Sequence, residues 1–163
     1  ETGLDLYWDK SRLDEQTESF RIQIEWALEY NLPIVIHSRD SFPQLYDILS
    51  DYRESALRGI FHCFSGSTEE ASALMRFDGF MFGIGGVLTY RKSVLPSVLP
   101  LIPLDRVVLE TDCPYLPPVP FRGKRNEPSY IVNTANMMAQ VYGITFEELA
   151  DVTSRNACRL FGL

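Results

Sequence analysis

Cysteine and long apolar runs are scarce in this sequence. Its 163 residues include three cysteines, Cys63, Cys113 and Cys158, at wide spacing and without a CxxC pair. An odd number of scattered cysteines does not make a disulfide framework, and a reducing cytoplasm is the simplest interpretation. No segment reaches the ~20 consecutive apolar residues that a membrane-spanning helix needs. We therefore expect a soluble, cytoplasmic protein without a membrane partner.

Positive charge is scarce as well. Lys and Arg number 15 against 22 Asp and Glu, which gives a formal net charge of −7 at pH 7. This balance argues against a protein that coats nucleic acid nonspecifically, because such binding neutralises many phosphates with basic side chains. A nuclease is not excluded, since an enzyme can bind a phosphodiester through metal ions and a few local cations.

Only two histidines occur, and each follows a short apolar run that predicts a buried strand. The runs are PIVI before His37, GIF before His62, and a third, VVL, before Glu110 and Asp112. Polar side chains at the carboxyl ends of parallel strands meet at one edge of a sheet or barrel. Taken singly, a packed or loop-capping residue is the favoured interpretation of each. Their repetition after three strands indicates a shared site.

Glu1 is interpreted as a fourth member of this set. Residues 1–5 (ETGLD) have the character of the end of a strand whose body is missing, and the chain begins with Glu instead of Met. We therefore expect a fragment of a longer protein. Glutamate, aspartate and two histidines form a mixed oxygen and nitrogen ligand set for a divalent cation. Carboxylates suit Mg or Mn and histidines suit Zn, so the metal is left open.

Between the strands the sequence predicts helices. Their signals are apolar spacing at residues 13–30 and 129–142, a cap at Ser41, capping-box patterns at Ser67 and Thr145, and a final turn at residues 157–161. Residues 93–102 predict a short or kinked helix, because Pro96 and Pro100 interrupt it. Strands alternating with helices imply parallel strands and a single α/β domain over residues 1–163. A β/α barrel and a doubly wound sheet both fit, and ligands at several strand ends favour the barrel.

Six segments, in this order, resemble the TatD-type metal-dependent deoxyribonucleases of the amidohydrolase superfamily. They are ETGLD at 1–5, IHSRD at 36–40, FHCFSG at 61–66, LETDCPYL at 109–116, RGKRNEP at 122–128 and NACRLF at 156–161. The resemblance covers the whole chain and implies a TIM-like β/α barrel with two divalent metal ions at its carboxyl mouth. It places the chain at the end of strand four and at strands five to eight, about the C-terminal half.

The resemblance also implies a role for each site residue. Glu1 would bridge both metal ions, His37 and His62 would bind one of them, and Asp112 would bind the other. In the family, a His-x-His pair provides the remaining ligands of the metal ion that Asp112 would bind. This sequence contains no such pair. We therefore expect half of that metal's ligands, and the N-terminal strands of the barrel, to be absent from this chain.

The expected chemistry is cleavage of DNA phosphodiester bonds by a metal-activated water, with Asp112 and Glu1 as the catalytic carboxylates. Four basic residues are candidate contacts to substrate phosphates: Arg39, Arg122, Lys124 and Arg125. For Lys124 and Arg125 a solvated basic loop is an equal interpretation. Tyr115 and Phe64 could stack on bases, although aromatic residues beside strands are more often core.

Several alternatives remain open. One is a related hydrolase acting on a small ester, lactone or amide, although such enzymes often have a carbamylated lysine where this chain has Glu1. Cysteine chemistry at Cys63 is disfavoured, because its side chain should alternate to the face opposite His62. The glycines at 83, 85 and 86 are interpreted as turn formers, since no Lys-Ser or Lys-Thr pair follows. The non-enzymatic alternative is a metal-binding half-barrel, whose open edges, before His37 and before Asp112, would favour self-association.

Overall fold

Five short parallel strands form one sheet in which each strand pairs with the next along the chain. The computed structural model describes residues 1–163. The strands are β1 (Thr2–Asp5), β2 (Ile34–Arg39), β3 (Gly59–Phe61), β4 (Phe80–Ile84) and β5 (Val107–Leu109). The helices are α1 (Leu13–Glu29), α2 (Phe42–Ser50), α3 (Thr68–Leu74), α4 (Leu95–Val98), α5 (Ile131–Tyr142) and α6 (Phe146–Phe161). The predicted alternation of strand and helix is confirmed, and no helix has the length and apolar character needed to cross a membrane.

The two faces of the sheet are covered unequally. On one face, alternate strand residues such as Ile36 and Phe61 join a core of 28 buried residues shared with the helices. The opposite face has a smaller buried cluster: Ile60, Met81, Val108 and, from α6, Leu160. Because side chains alternate along a strand, His37 and His62 project on this second face. We call it the site face.

The helix ends follow the local sequence signals with two differences. Both capping boxes are present, Ser67 with Glu70 and Thr145 with Glu148. Ser41 occupies the expected position before α2 but makes no cap, since its hydroxyl donates to the Leu4 carbonyl at 2.9 Å. The final turn expected at 157–161 is part of α6. The proline-rich segment forms the expected short helix, the four-residue α4, followed by a 3₁₀ turn.

One predicted sheet edge is wrong. The strand before His37 is not an edge, because β1 pairs with it from Thr2 opposite Ile36 to Asp5 opposite Arg39. The edges are therefore β1 and β5, the second as predicted. Only the first residues of β2, before the register with β1 begins, remain uncovered on that side.

Asn156 joins α6 to the start of β5. Its buried amide donates to the carbonyls of Leu104 and Val107 at 2.9 and 2.8 Å. Asn156→Ala should lower the free energy of unfolding by about 2 kcal/mol, because one buried and one half-buried carbonyl would lose their donor. Urea unfolding followed by circular dichroism measures this. Arg155→Ala is the control: it removes an exposed pair with Asp151 and should change stability by less than about 0.5 kcal/mol. Equal effects of the two changes would contradict the role of Asn156.

Candidate metal centre

Four side chains predicted as ligands lie together at the carboxyl edge of the sheet: Glu1, His37, His62 and Asp112. The two carboxylate oxygens of Glu1 face different histidines, 3.0 Å from Nδ1 of His37 and 3.6 Å from Nε2 of His62. The same Nε2 lies 3.4 Å from Oδ1 of Asp112. We call these four side chains the metal-centre residues.

Each histidine has its other ring nitrogen beside a further carboxylate. Nε2 of His37 is 3.0 Å from Oδ2 of Asp5, and Nδ1 of His62 is 2.9 Å from Oε2 of Glu110. Carboxylates in this position fix the orientation of a metal-binding imidazole and raise its basicity. Neither role was predicted from the sequence. A signal existed for Glu110, which precedes Asp112 by two residues and so shares its side of an extended chain.

The Glu110 carboxylate occupies space that Gly83 leaves free on β4. A Cβ at Gly83 would lie 2.4 Å from Oε2 of Glu110, so any side chain there would displace the carboxylate. The backbone N–H of Cys63 donates to the other carboxylate oxygen. Glu110 therefore links β4, β5 and the residues that follow β3 around His62.

Cys63 was expected to face away from His62, but it does not. Its φ of 46° lies in the left-handed region, so the strand alternation stops at this residue. The ligand atoms of His62, Cys63 and Asp112 all lie within 4.8 Å of one another. Burial, with a smaller effect of Glu110, raises the pKa of the Cys63 thiol. A protonated thiol is a poor nucleophile, so the site still disfavours cysteine chemistry.

The loop that positions Asp112 is tied together by Asn126. This buried amide donates to the carbonyls of Thr111 and Tyr115, at 2.7 and 2.6 Å, on the two sides of Asp112. Asp112 itself has a φ of 53°, a conformation that is sparsely populated outside glycine and that surrounding contacts must maintain. Asn126 belongs to the RGKRNEP segment, but no sequence signal predicted this contact.

The electrostatics of the centre favour a cation. The hydrogen bond with Glu110 raises the pKa of His62 to about 9, and burial is the main cause that raises the pKa of Asp112. Ligand bonds of about 2.1 Å in a tetrahedral site separate the ligand atoms by roughly 3.4 Å. Nε2 of His62 lies 3.6 Å from Oε2 of Glu1 and 3.4 Å from Oδ1 of Asp112, both close to this value. His62 and Glu1 therefore fit the divalent cation assigned to them, which would take the place of the His62 proton.

The predicted substrate contacts are all exposed, but they differ in their neighbours. The Arg39 guanidinium lies over the Tyr7 ring at 3.7 Å, and that of Arg122 lies over the Tyr90 ring at 3.8 Å. The Lys124 amine is 5.8 Å from the Phe121 ring centroid, and Arg125 is exposed in the same loop.

Of the two aromatic residues considered for stacking, only one has an accessible side chain. Phe64 is buried against Phe82, with ring centroids 5.0 Å apart, so it is a core residue, as the favoured interpretation had it, and does not stack on bases. Tyr115 is 69% exposed, and its role stays a prediction.

A parallel α/β sheet with histidines and carboxylates converging at its carboxyl edge is the arrangement of a metal-dependent hydrolase. Comparison with known proteins agrees. The chain belongs to the TatD-related DNase family, whose model matches residues 1–162.

Individual relatives support the family and the fold. An uncharacterized metal-dependent hydrolase of Bacillus subtilis, YabD, is 49% identical over 162 residues, covering 99% of this chain and 63% of that protein. A protein of Erwinia amylovora named 3'-5' ssDNA/RNA exonuclease TatD is 34% identical over 169 residues, covering 100% of this chain and 65% of that protein.

The crystal structure of YjjV, a TatD homologue from Escherichia coli, matches with a TM-score of 0.92 at 30% identity, covering 100% of this chain and 62% of that one. The TIM-like β/α barrel is confirmed as the fold class, here in part. The chain spans less than two thirds of the length of these relatives.

Glu110→Gln should change the titration of His62 in metal-free protein. The raised pKa of about 9 means that protonated His62 stabilises the fold below pH 6.5, and that this contribution is lost as pH rises through about 9. The variant should return the His62 pKa toward 6.5 and lose at most about 3 kcal/mol of stability at low pH, but little above pH 9.

Because the chain has only two histidines, NMR of the imidazole ring protons, recorded with a metal chelator present, resolves the titration of His62. Glu54→Gln, at an exposed carboxylate, is the matched control and should leave the curve unchanged. If His62 of the wild-type protein titrated near pH 6.5, Glu110 would not stabilise the protonated form of His62.

Proposed function

We propose that this protein is a deoxyribonuclease that hydrolyses DNA phosphodiester bonds with two bound divalent cations. The observation that supports this most directly is the His62 imidazole, which has one nitrogen against Glu110 and the other facing Glu1 and Asp112. The family and the exonuclease name of the Erwinia relative support a nucleic-acid substrate.

The metal-centre residues would provide the ligands: Glu1 for both cations, His37 and His62 for one, and Asp112 for the other. Bound cations of this kind supply an activated water and offset charge on the attacking and leaving oxygens. The partial barrel contributes only carboxylates to the Asp112 side, because its two histidines are the residues assigned to the other cation. We therefore propose that two-metal occupancy needs ligands beyond this chain.

The remaining residues have positioning and proton-transfer roles in this proposal. Asp112 can orient the attacking water and accept its proton. Asp5 and Glu110 hold the two imidazoles in one orientation. Arg39, the last residue of β2, and Arg122, in the loop after β5, are exposed cations that can meet substrate phosphates.

The same proposal includes two further points. The three cysteines are free thiols, which agrees with a cytoplasmic location. The backbone edges of β1 and β5 can pair with another chain, so self-association is proposed where nothing else covers them.

The test compares the chain with a fusion that adds the part of the Bacillus subtilis relative that the chain does not cover. Each is freed of metal, given Mg, Mn or Zn singly, and assayed on labelled single- and double-stranded DNA and RNA. We expect poor cleavage by the chain alone and metal-dependent DNA cleavage by the fusion. Cleavage of small esters or lactones but not of DNA would favour the alternative hydrolase, and no metal binding at all would favour a non-catalytic half-barrel.

Within the fusion, His62→Ala should lower cleavage at least about a hundredfold while leaving the unfolding transition cooperative, because a ligand at the mouth contributes little to the core. Metal content by elemental analysis should fall in parallel. Asp47→Asn, at an exposed carboxylate on α2, is the control and should keep both. If His62→Ala kept turnover and lost the cooperative transition, His62 would be a structural residue.

A further inference from the structure

Two aromatic side chains are exposed directly after β1, beside the metal-centre residues. Tyr7 is 49% exposed and Trp8 is 80% exposed, and their rings meet edge to face with centroids 4.7 Å apart. Burial of aromatic rings is strongly favourable, so a core role would have covered them. An exposed aromatic pair next to a polar site is instead typical of a ligand-binding surface.

Arg39 extends this aromatic surface with a positive charge. Its guanidinium carbon lies 3.7 Å from the centroid of Tyr7 and 5.8 Å from that of Trp8. The ion pairs of the protein involve other residues, so no carboxylate neutralises this arginine. A stacked guanidinium keeps N–H groups at its edge for an anion such as phosphate.

The aromatic segment is fixed to the metal centre by hydrogen bonds. The Leu6 N–H donates to the Arg39 carbonyl at 2.9 Å, which continues the pairing of β1 with β2. The Tyr7 N–H donates to Oδ1 of Asp5 at 3.0 Å, while Oδ2 of the same carboxylate is 3.0 Å from Nε2 of His37. One carboxylate therefore orients both a candidate metal ligand and the backbone of the aromatic pair.

The spacing suits a nucleotide. Arg39 lies two residues beyond His37 on the same side of β2, which corresponds to roughly 7 Å along the strand. A phosphate at the metal centre would thus have its neighbouring base within reach of Tyr7 and Trp8. Proteins bind unpaired bases by stacking them on aromatic rings and arginine while cations contact the backbone.

We propose that Tyr7, Trp8 and Arg39 form a base-stacking site for single-stranded nucleic acid beside the metal centre. This site rests on the proposed nuclease function and adds the part of the substrate that is recognised: the face of an unpaired base on the rings, and a phosphate at Arg39. Bases inside a duplex are already stacked on one another, so the site selects single strands and frayed ends over continuous duplex.

The two tryptophans of the chain allow a direct binding test. Trp26→Phe leaves Trp8 as the only tryptophan, and Trp8→Phe leaves Trp26, which is 55% exposed on α1. The probe is a short phosphorothioate oligothymidylate, which resists cleavage, with Mg present. It should quench tryptophan emission in the Trp26→Phe protein and leave the Trp8→Phe protein unchanged. The same titration is run on the chain and on the fusion.

Affinity variants separate stacking from charge. Trp8→Ala should weaken oligothymidylate binding at least about fivefold, whereas Trp26→Ala should not change it. Arg39→Lys keeps the charge but loses the planar stack, so it should weaken binding less than Arg39→Ala does. An abasic oligonucleotide of the same backbone should bind the wild type as weakly as oligothymidylate binds Trp8→Ala.

Three results would overturn the stacking site. Equal affinity of the Trp8→Ala and Trp26→Ala proteins would do so, as would equal binding of abasic and thymidylate probes, which indicates phosphate contacts only. Unquenched Trp8 emission in the fusion would show that protein, not nucleic acid, covers the ring.

Because the probe is not cleaved, the outcome is independent of turnover. DNA cleavage without any effect of Trp8 overturns the stacking site and leaves the proposed hydrolysis standing. Trp8-dependent binding without cleavage supports the stacking site and counts against the hydrolysis.

Discussion

The His62 imidazole, placed among three carboxylates, is the interaction on which the site depends. Its Nδ1 is held by Glu110, and its Nε2 faces both Glu1 and Asp112. Carboxylates brought this close repel one another unless a positive charge lies between them. The raised pKa of His62 reflects this repulsion, because a proton on the ring places a positive charge between the carboxylates. A divalent cation would offset more of their negative charge, and the spacing of the ligand atoms permits one.

Several features of the surrounding fold are consequences of keeping that carboxylate cluster in place. Gly83 has no side chain because the Glu110 carboxylate occupies the space beside it. Cys63 and Asp112 adopt left-handed backbone conformations where their strands end, and these direct both side chains back into the site. Such conformations cost of order 1 kcal/mol or more each, and contacts such as those of Asn126 must offset the cost.

Much of this arrangement could be predicted from the sequence, for physical reasons. Strand and helix positions follow from apolar periodicity, and the convergence of His37 and His62 follows from parallel strands ending at one edge. What failed depended on departures from regular geometry. Cys63 was placed on the wrong face because strand alternation was assumed to continue past β3. The contacts of Asp5 and Asn126 were missed because they join segments whose approach is set by tertiary packing, which no local pattern encodes.

The distribution of charge explains why such a site needs both a cation and a separate place for its substrate. The chain has a net charge of −7, and the centre gathers four carboxylates within a few ångströms of two histidines. A phosphodiester approaching this edge is repelled unless bound cations reverse the local sign. The exposed arginines, Arg39 at the end of β2 and Arg122 in the loop after β5, are not among the ligands, where they would compete with a metal ion for the same carboxylates. In the proposed mechanism, metal ions at the centre and arginines at the rim would act on different phosphates, with the aromatic surface of Tyr7 and Trp8 beside Arg39.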